Sequence, residues 1–158
     1  MPKITPFLWF DDQAEAAMNF YVAIFPNSKV GKVSRYTEGA PGPAGSVMTA
    51  QFELDGFPVT ALNGGPMFKF TEAVSFFVDC KDQAEVDYYW DRLGEGGQHS
   101  QCGWLKDRFG FSWQIVPEAL MAYAGGSDRA GAQRAMQAML QMTKLDVAVL
   151  KAAYEGTA

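Results

Sequence analysis

The sequence predicts an α+β fold: tandem βαβββ modules forming two curved mixed sheets, each a half-barrel, followed by a C-terminal helical tail. Three observations predict it. The tetrapeptide Asp-Gln-Ala-Glu occurs at Asp12–Glu15 and recurs at Asp82–Glu85, 70 residues on. A strand-like run precedes each copy and an amphipathic run follows it. A second echo sets Gly56-Phe57-x-Val59-Thr60 against Gly110-Phe111-x-Trp113-Gln114, in the same order in each half.

Taken in order, residues 4–10 (ITPFLWF) are rich in aromatic and β-branched side chains and read as the first strand. Asp12 stands three residues before Glu15, the Asp form of a capping box, which opens a helix. Behind it Ala14, Ala17, Met18 and Tyr21 recur at helical spacing. Three strands follow over residues 28–37, 46–54 and 57–63. The loop at 38–45 divides the first two, and Asp55-Gly56 makes a tight turn between the last two. The second half repeats this order with a strand over 73–80, a capping box at Asp82, and a helix carrying Val86, Tyr89, Trp90 and Leu93 on one face. Strands over 96–107 and 109–117 come next. Only about fifteen residues separate Leu93 from Phe109, so a third strand there is short or absent. From Pro117 onward the pattern is helical, with one short and two longer helices. Ser127 and Thr143 are the expected N-caps, the second with Asp146 three residues on. Ala132, Met136, Met139 and Leu140 form an apolar stripe facing the sheet or a partner subunit, with a Met-lined ligand gate as the alternative. The predicted organisation is one domain over 1–158, with modules at about 1–66 and 70–118 and a tail at about 118–156.

Composition narrows the function classes. Apolar residues make up 48% and charged residues 20% of the 158, the balance of a globular chain. A net charge of −5 without any Lys/Arg run argues against a nucleic-acid partner. No apolar run approaches the roughly 18 residues of a membrane span, and MPKITPF lacks the apolar core of a signal peptide. The expected location is therefore cytoplasmic, with no membrane partner, and Cys80 and Cys102 are expected as free thiols. No nucleophile elbow, P-loop or paired-Cys zinc pattern is present.

The runs ITPFLWFDDQAEAAMNFYVAIFPNSKV, VSFFVDCKDQAEVDYYW and QCGWLKDRFGFSWQIVP, with the tail segment AQRAMQAMLQMTKLD, resemble the vicinal oxygen chelate (glyoxalase, bleomycin-resistance and extradiol dioxygenase) superfamily. The closer resemblance is to its PhnB-like branch, whose members often carry the name 3-demethylubiquinone-9 3-methyltransferase. The residues do not support that name. A methyl-donor site needs a Gly-rich turn between a strand and a helix, and the Gly-rich segments at 38–45 and 94–97 have no such setting.

The resemblance implies a cavity into which the first and last strands of each module point, with four positions that hold a divalent metal in relatives. Carried over through the two echoes, these positions are Thr5, Thr60, Ser75 and Gln114, to within about one residue of register. Two Thr, a Ser and a Gln offer no charge, whereas such a metal calls for imidazole, thiolate or carboxylate. Asn63 is the best auxiliary donor, and His99 falls out of phase with Cys102 and Trp104. The expectation is accordingly no metal and no cofactor. Cys102 and Trp104 either give the cavity a thiol and an aromatic wall or pack in the core, and Trp9, in phase with Thr5, lines the cavity or the core. Lys106–Arg108 reads as a charged hairpin turn, with a polar rim of the cavity as the alternative, and Asp11, Asp12 and Asp82 as helix starters rather than a catalytic carboxylate pair.

The resemblance also implies a homodimer. Three functions follow: a metal-free small-molecule-binding protein, favoured here; a metal-dependent isomerase, lyase or dioxygenase; or a dimeric structural protein with a vestigial pocket.

Overall fold

A computed structural model describes residues 2–157. They fall into two compact units, one reaching Phe70 and the other starting at Thr71.

The first unit contains β1 (Phe7–Phe10), α1 (Ala14–Ile24), β2 (Lys29–Arg35), β3 (Val47–Leu54) and β4 (Phe57–Asn63). Its sheet has the order β1-β4-β3-β2, with β1 parallel to β4 and the other pairs antiparallel. Alternation divides each strand between two faces. Leu8, Phe10, Ala50, Phe52, Val59 and Ala61 are buried, as are Ala14, Ala17, Met18 and Tyr21 of α1, which packs on β3 and β4. Pro6 has no N–H for the ladder, so β1 begins at Phe7 and is shorter than the predicted run; only the Pro6 carbonyl takes part, accepting from Thr60 N–H at 3.1 Å. Asp55 (φ 50°) and Gly56 (φ 78°) both take the left-handed backbone that a type I′ hairpin requires.

The first capping box does not form. Helix α1 starts behind Gln13, whose side chain makes no cap bond. Asn63 supplies the cap from β4: its Oδ1 accepts from Ala14 N–H at 2.8 Å while its Nδ2 donates to the Val47 carbonyl at 3.2 Å. The side chain that looked like the best auxiliary metal donor is thus engaged in joining β3, β4 and α1.

The second unit contains β5 (Ser75–Cys80), α2 (Gln83–Gly94), β6 (Gln98–His99), β7 (Trp104–Lys106), β8 (Ser112–Pro117), α3 (Glu118–Ala124), α4 (Arg129–Leu140) and α5 (Val147–Glu155). The sheet order is β5-β8-β7-β6, again with a parallel outer pair, β5 and β8. Here Asp82 caps the helix by accepting from Glu85 N–H, and the Glu85 carboxylate reaches back one residue past the cap to accept from Lys81 N–H, both at 2.9 Å. Val86, Tyr89, Trp90 and Leu93 are buried along one face of α2.

The strand predicted over 96–107 is broken. Cys102 lies in a turn at φ 59°, and the N–H groups of Cys102 and Gly103 donate to the carbonyls of Met142 and Thr143 at 2.8 Å. The two-residue β6 is the short third strand. The tail therefore belongs to this unit. Val116, Leu120, Leu145 and Leu150 form its core, with Tyr123, Met139 and Met142 packed against them. Gln83 clasps the chain ahead of α5, donating to the Leu145 carbonyl (3.1 Å) and accepting from Val147 N–H (2.7 Å). Gln83 and Lys144 both bond Asp87 and hold its carboxyl below the ordinary value. The tail caps are Asp128 and Asp146 rather than Ser127 and Thr143. Helix α4 buries Gly131, Ala132 and Ala135 and leaves Met136 and Leu140 exposed. A Cβ on Gly131 would lie 2.6 Å from the Tyr154 carbonyl, so the close approach to α5 selects the small-residue face over the larger stripe. Among the described residues no helix is long and apolar enough to cross a membrane.

Candidate functional site

Each sheet has a second face, turned away from its helix, and this face carries the residues singled out by the sequence. In the first unit Phe7 pairs with Thr60, and Thr60 with Gln51. In the second, Phe77 pairs with Gln114, and Gln114 with Trp104. Partners across a ladder share a face, so Phe7–Thr60–Gln51 and Phe77–Gln114–Trp104 are equivalent rows. The offset that carries Asp12 onto Asp82 also carries Phe7 onto Phe77, so both echoes describe one backbone register. Thr5 lies outside this row, exposed and ahead of β1, because the proline after it delays pairing. Phe7 holds the paired position instead. Trp9 shares the face of Thr60, with its Nε1 donating to the Gly65 carbonyl at 2.9 Å and its ring edge on Phe68 at 4.9 Å.

In the second unit Ser75 and Gln114 come together: Gln114 Nε2 donates to Ser75 Oγ at 3.0 Å. Ser75 also pairs with Ser112, and Ser112 with Lys106. Beside them is a cavity of about 550 Å³, within the range of small-molecule sites, lined among others by Glu72, Gln98, Cys102, Trp104, Lys106 and Ser112. Trp104 is half-buried. Cys102 reaches this cavity from its turn and not from the strand face it was expected to share with Trp104. Lys106 Nζ forms an ion pair with Glu72, whose carboxyl it holds below the ordinary value by hydrogen bonding and charge. Ser112 is 1% exposed, and its hydroxyl has no hydrogen-bond partner among the described residues.

His99 is stacked on Trp90 at 4.3 Å, and its Nε2 lies 3.0 Å from the Trp90 carbonyl. Asp107, read from sequence as part of a charged hairpin turn, is 2% exposed. It accepts from Phe109 N–H, Phe111 N–H and Trp113 Nε1–H at 2.9 to 3.1 Å. It fixes the approach to β8, and so the placement of Ser112 and Gln114. In the first unit a separate hollow of about 580 Å³ borders the start of α1, with Asp11, Asp12 and Glu15 on its rim. Gln51 and Ser112 were missed by the sequence reading, although period-two alternation from Gln114 reaches Ser112 directly, and Lys106 entered it only as the alternative of a polar cavity rim.

These pairings set the frame for comparison with known proteins. A family model described as 3-demethylubiquinone-9 3-methyltransferase matches residues 2–116. The chain belongs to this family. A PhnB protein from Bacillus cereus is 36% identical with a TM-score of 0.68, the match covering 73% of this chain and 99% of that one. The fold alone is shared with protein PA1353 from Pseudomonas aeruginosa (20% identity, TM-score 0.61, 74% and 98% covered). It is likewise shared with a fosfomycin resistance protein, FosX, from Listeria monocytogenes (13% identity, TM-score 0.50, 74% and 93% covered). No curated protein matches the chain. The family model ends within β8, so α3–α5, which the sequence grouped with the resemblance, lie beyond the matched residues.

Membership places this PhnB-like chain in the vicinal oxygen chelate superfamily and raises the question of its divalent metal. The donor set does not fit one. Ser75 and Gln114 bond each other, Thr60 adds only a hydroxyl, and Thr5 stands outside the strand. Among the described residues no three His, Cys, Asp or Glu side chains gather in a metal-holding group.

Proposed function

We propose that this PhnB-like protein is a small-molecule-binding protein whose pocket groups are neutral hydrogen-bonding side chains in place of metal ligands. The observation that carries the reading is the Gln114–Ser75 hydrogen bond, which sets an amide and a hydroxyl where relatives are expected to hold metal. Such a pair orients a ligand by donating and accepting, with Trp104 on the same face as an apolar wall. Cys102 contributes further lining in the second unit; in the first unit Thr60 and Trp9 occupy the equivalent sheet face, with Thr5 in the segment ahead of β1. The modules and tail act as one domain, in the cytoplasm and as a homodimer. Phe7 and Phe77, 58% and 50% exposed in the chain alone, support self-association.

The test combines elemental analysis of the purified protein with thermal-shift measurements over a panel of small organic molecules. The reading expects sub-stoichiometric metal and at least one ligand whose stabilising shift is lost in both Gln114→Ala and Ser75→Ala. Stoichiometric bound divalent metal, or shifts indifferent to both substitutions, would overturn it.

A further inference from the structure

Ser112 is an unusual residue to leave unsatisfied. A buried hydroxyl without a partner is costly, and native interiors hold few of them. Ser112 is among the residues that line the 550 Å³ cavity, its oxygen covered in the resting state, and its place in the ladder is between Ser75 on one side and Lys106 on the other. Antiparallel neighbours have Cα atoms about 5 Å apart, so the flexible Lys106 side chain and the Ser112 hydroxyl can reach the same small group. The Lys106 ammonium is engaged by Glu72, but both partners are exposed, with side-chain exposures of 41% and 62%. An exposed pair of this kind is weak, so an incoming anion displaces Glu72 at little cost. Trp104 lies two residue pairs along the ladder, half-buried on the same face, and offers a flat apolar surface.

We infer that the cavity of the second unit binds a small carboxylate carrying an aromatic or flat apolar body. One carboxylate oxygen takes the Lys106 ammonium, the other accepts from the Ser112 hydroxyl, and the body lies against Trp104. Glu72 serves as the resting counter-ion of Lys106 and is released on binding. This deepens the small-molecule reading above and rests on it. The charge comes from Lys106, beside the neutral Gln114–Ser75 pair and not from it.

The test is titration of the full chain with benzoate, followed by calorimetry or ligand-observed NMR, with benzamide and benzylamine as neutral and cationic counterparts. Benzoate should bind more tightly than either counterpart. Lys106→Gln should weaken it by at least about tenfold and Ser112→Ala by about tenfold. Glu72→Gln should tighten it by about two- to fivefold, because the ammonium no longer has to be freed. A gain of affinity cannot arise from misfolding, so Glu72→Gln keeps the test sound if another variant folds poorly. Equal binding of benzamide, unchanged affinity in Ser112→Ala, or weaker binding in Glu72→Gln would each overturn the assignment. If benzoate does not bind while other panel compounds give Gln114-dependent shifts, the carboxylate assignment falls and the broader reading stands. If neither benzoate nor the panel registers, both fall.

Discussion

Asp107 tests how the β7–β8 connection sets the site. Its Oδ1 accepts from Phe109 N–H and Phe111 N–H, and its Oδ2 accepts from Trp113 Nε1–H at 2.9 Å. The carboxylate, Phe111 and Trp113 are all but inaccessible to water. Asp107→Asn can keep an acceptor at the Oδ1 position but turns an amide N–H toward the indole N–H, setting donor against donor. A hydrogen bond to a charged group contributes about 1.5–3 kcal/mol, and a stranded buried donor costs about 1–3 kcal/mol. Asp107→Asn should therefore lower stability by about 2–4 kcal/mol. Asp107→Ala, which takes the acceptor from all three of these N–H groups, should cost about 3–5 kcal/mol, since each stranded buried donor costs about 1–3 kcal/mol. Trp113→Phe removes the indole donor and with it the clash, so the Asn and Phe substitutions should couple by at least about 1 kcal/mol. Urea unfolding followed by far-ultraviolet circular dichroism measures all four corners of the cycle. Coupling smaller than about 0.5 kcal/mol, or a cost for Asp107→Asn below about 1 kcal/mol, would refute this account of the turn.

Helix capping separates the two copies of the Asp-Gln-Ala-Glu echo: Asp82→Ala and Asn63→Ala should each cost about 1 kcal/mol in urea unfolding, and Asp12→Ala less than about 0.5 kcal/mol. Equal losses for Asp12 and Asp82 would contradict the observed caps. Cys80 should give the protein an alkaline weakness. Burial, reinforced by the Glu85 and Asp79 carboxylates, pushes its thiol from 9.0 up to about 12. Above pH 9 the unfolded chain releases a proton that the folded chain keeps, so stability falls as pH rises toward 12, by up to about 1.4 kcal/mol per pH unit. Comparing pH titrations of stability for wild type and Cys80→Ala isolates this slope, and identical slopes would remove Cys80 as its cause.

The parts of the fold legible in the sequence were those set by local periodicity. The buried faces of α1 and α2 follow the spacing of Ala14, Ala17, Met18 and Tyr21 and of Val86, Tyr89, Trp90 and Leu93. The parts that were not legible depend on a distant chain segment. Asn63 caps α1 across 49 residues, so the local Asp12–Glu15 pattern could not reveal that another side chain takes that place. The strand over 96–107 breaks because Met142 and Thr143 accept the N–H groups of Cys102 and Gly103. Lys106, Asp107 and Arg108 look alike as a charged run, yet only Asp107 meets three converging donors once Phe109, Phe111 and Trp113 are folded around it. At the candidate site, Ser75 and Gln114 were legible through the echo. Gln51 was not, since it enters through the register of a third strand, and Lys106 was legible only as an alternative, within the charged turn.

The two equivalent rows explain how one frame carries different chemistry. In each unit the parallel outer pair and its antiparallel neighbour are held by backbone hydrogen bonds, which do not depend on side-chain identity. The buried face must keep its apolar pattern, because a slip of one residue would turn that pattern to the other side. The opposite face is under no such constraint. Phe7, Thr60 and Gln51 can therefore stand where Phe77, Gln114 and Trp104 stand in the other unit, with the register unchanged. The same independence allows a position on this face, including one that the resemblance implies for metal, to be a hydroxyl or an amide without disturbing the sheet. On the binding reading proposed above, the choice of ligand falls to the groups beside that position: the Ser112 hydroxyl, the Lys106 ammonium with its exchangeable partner, and the face of Trp104.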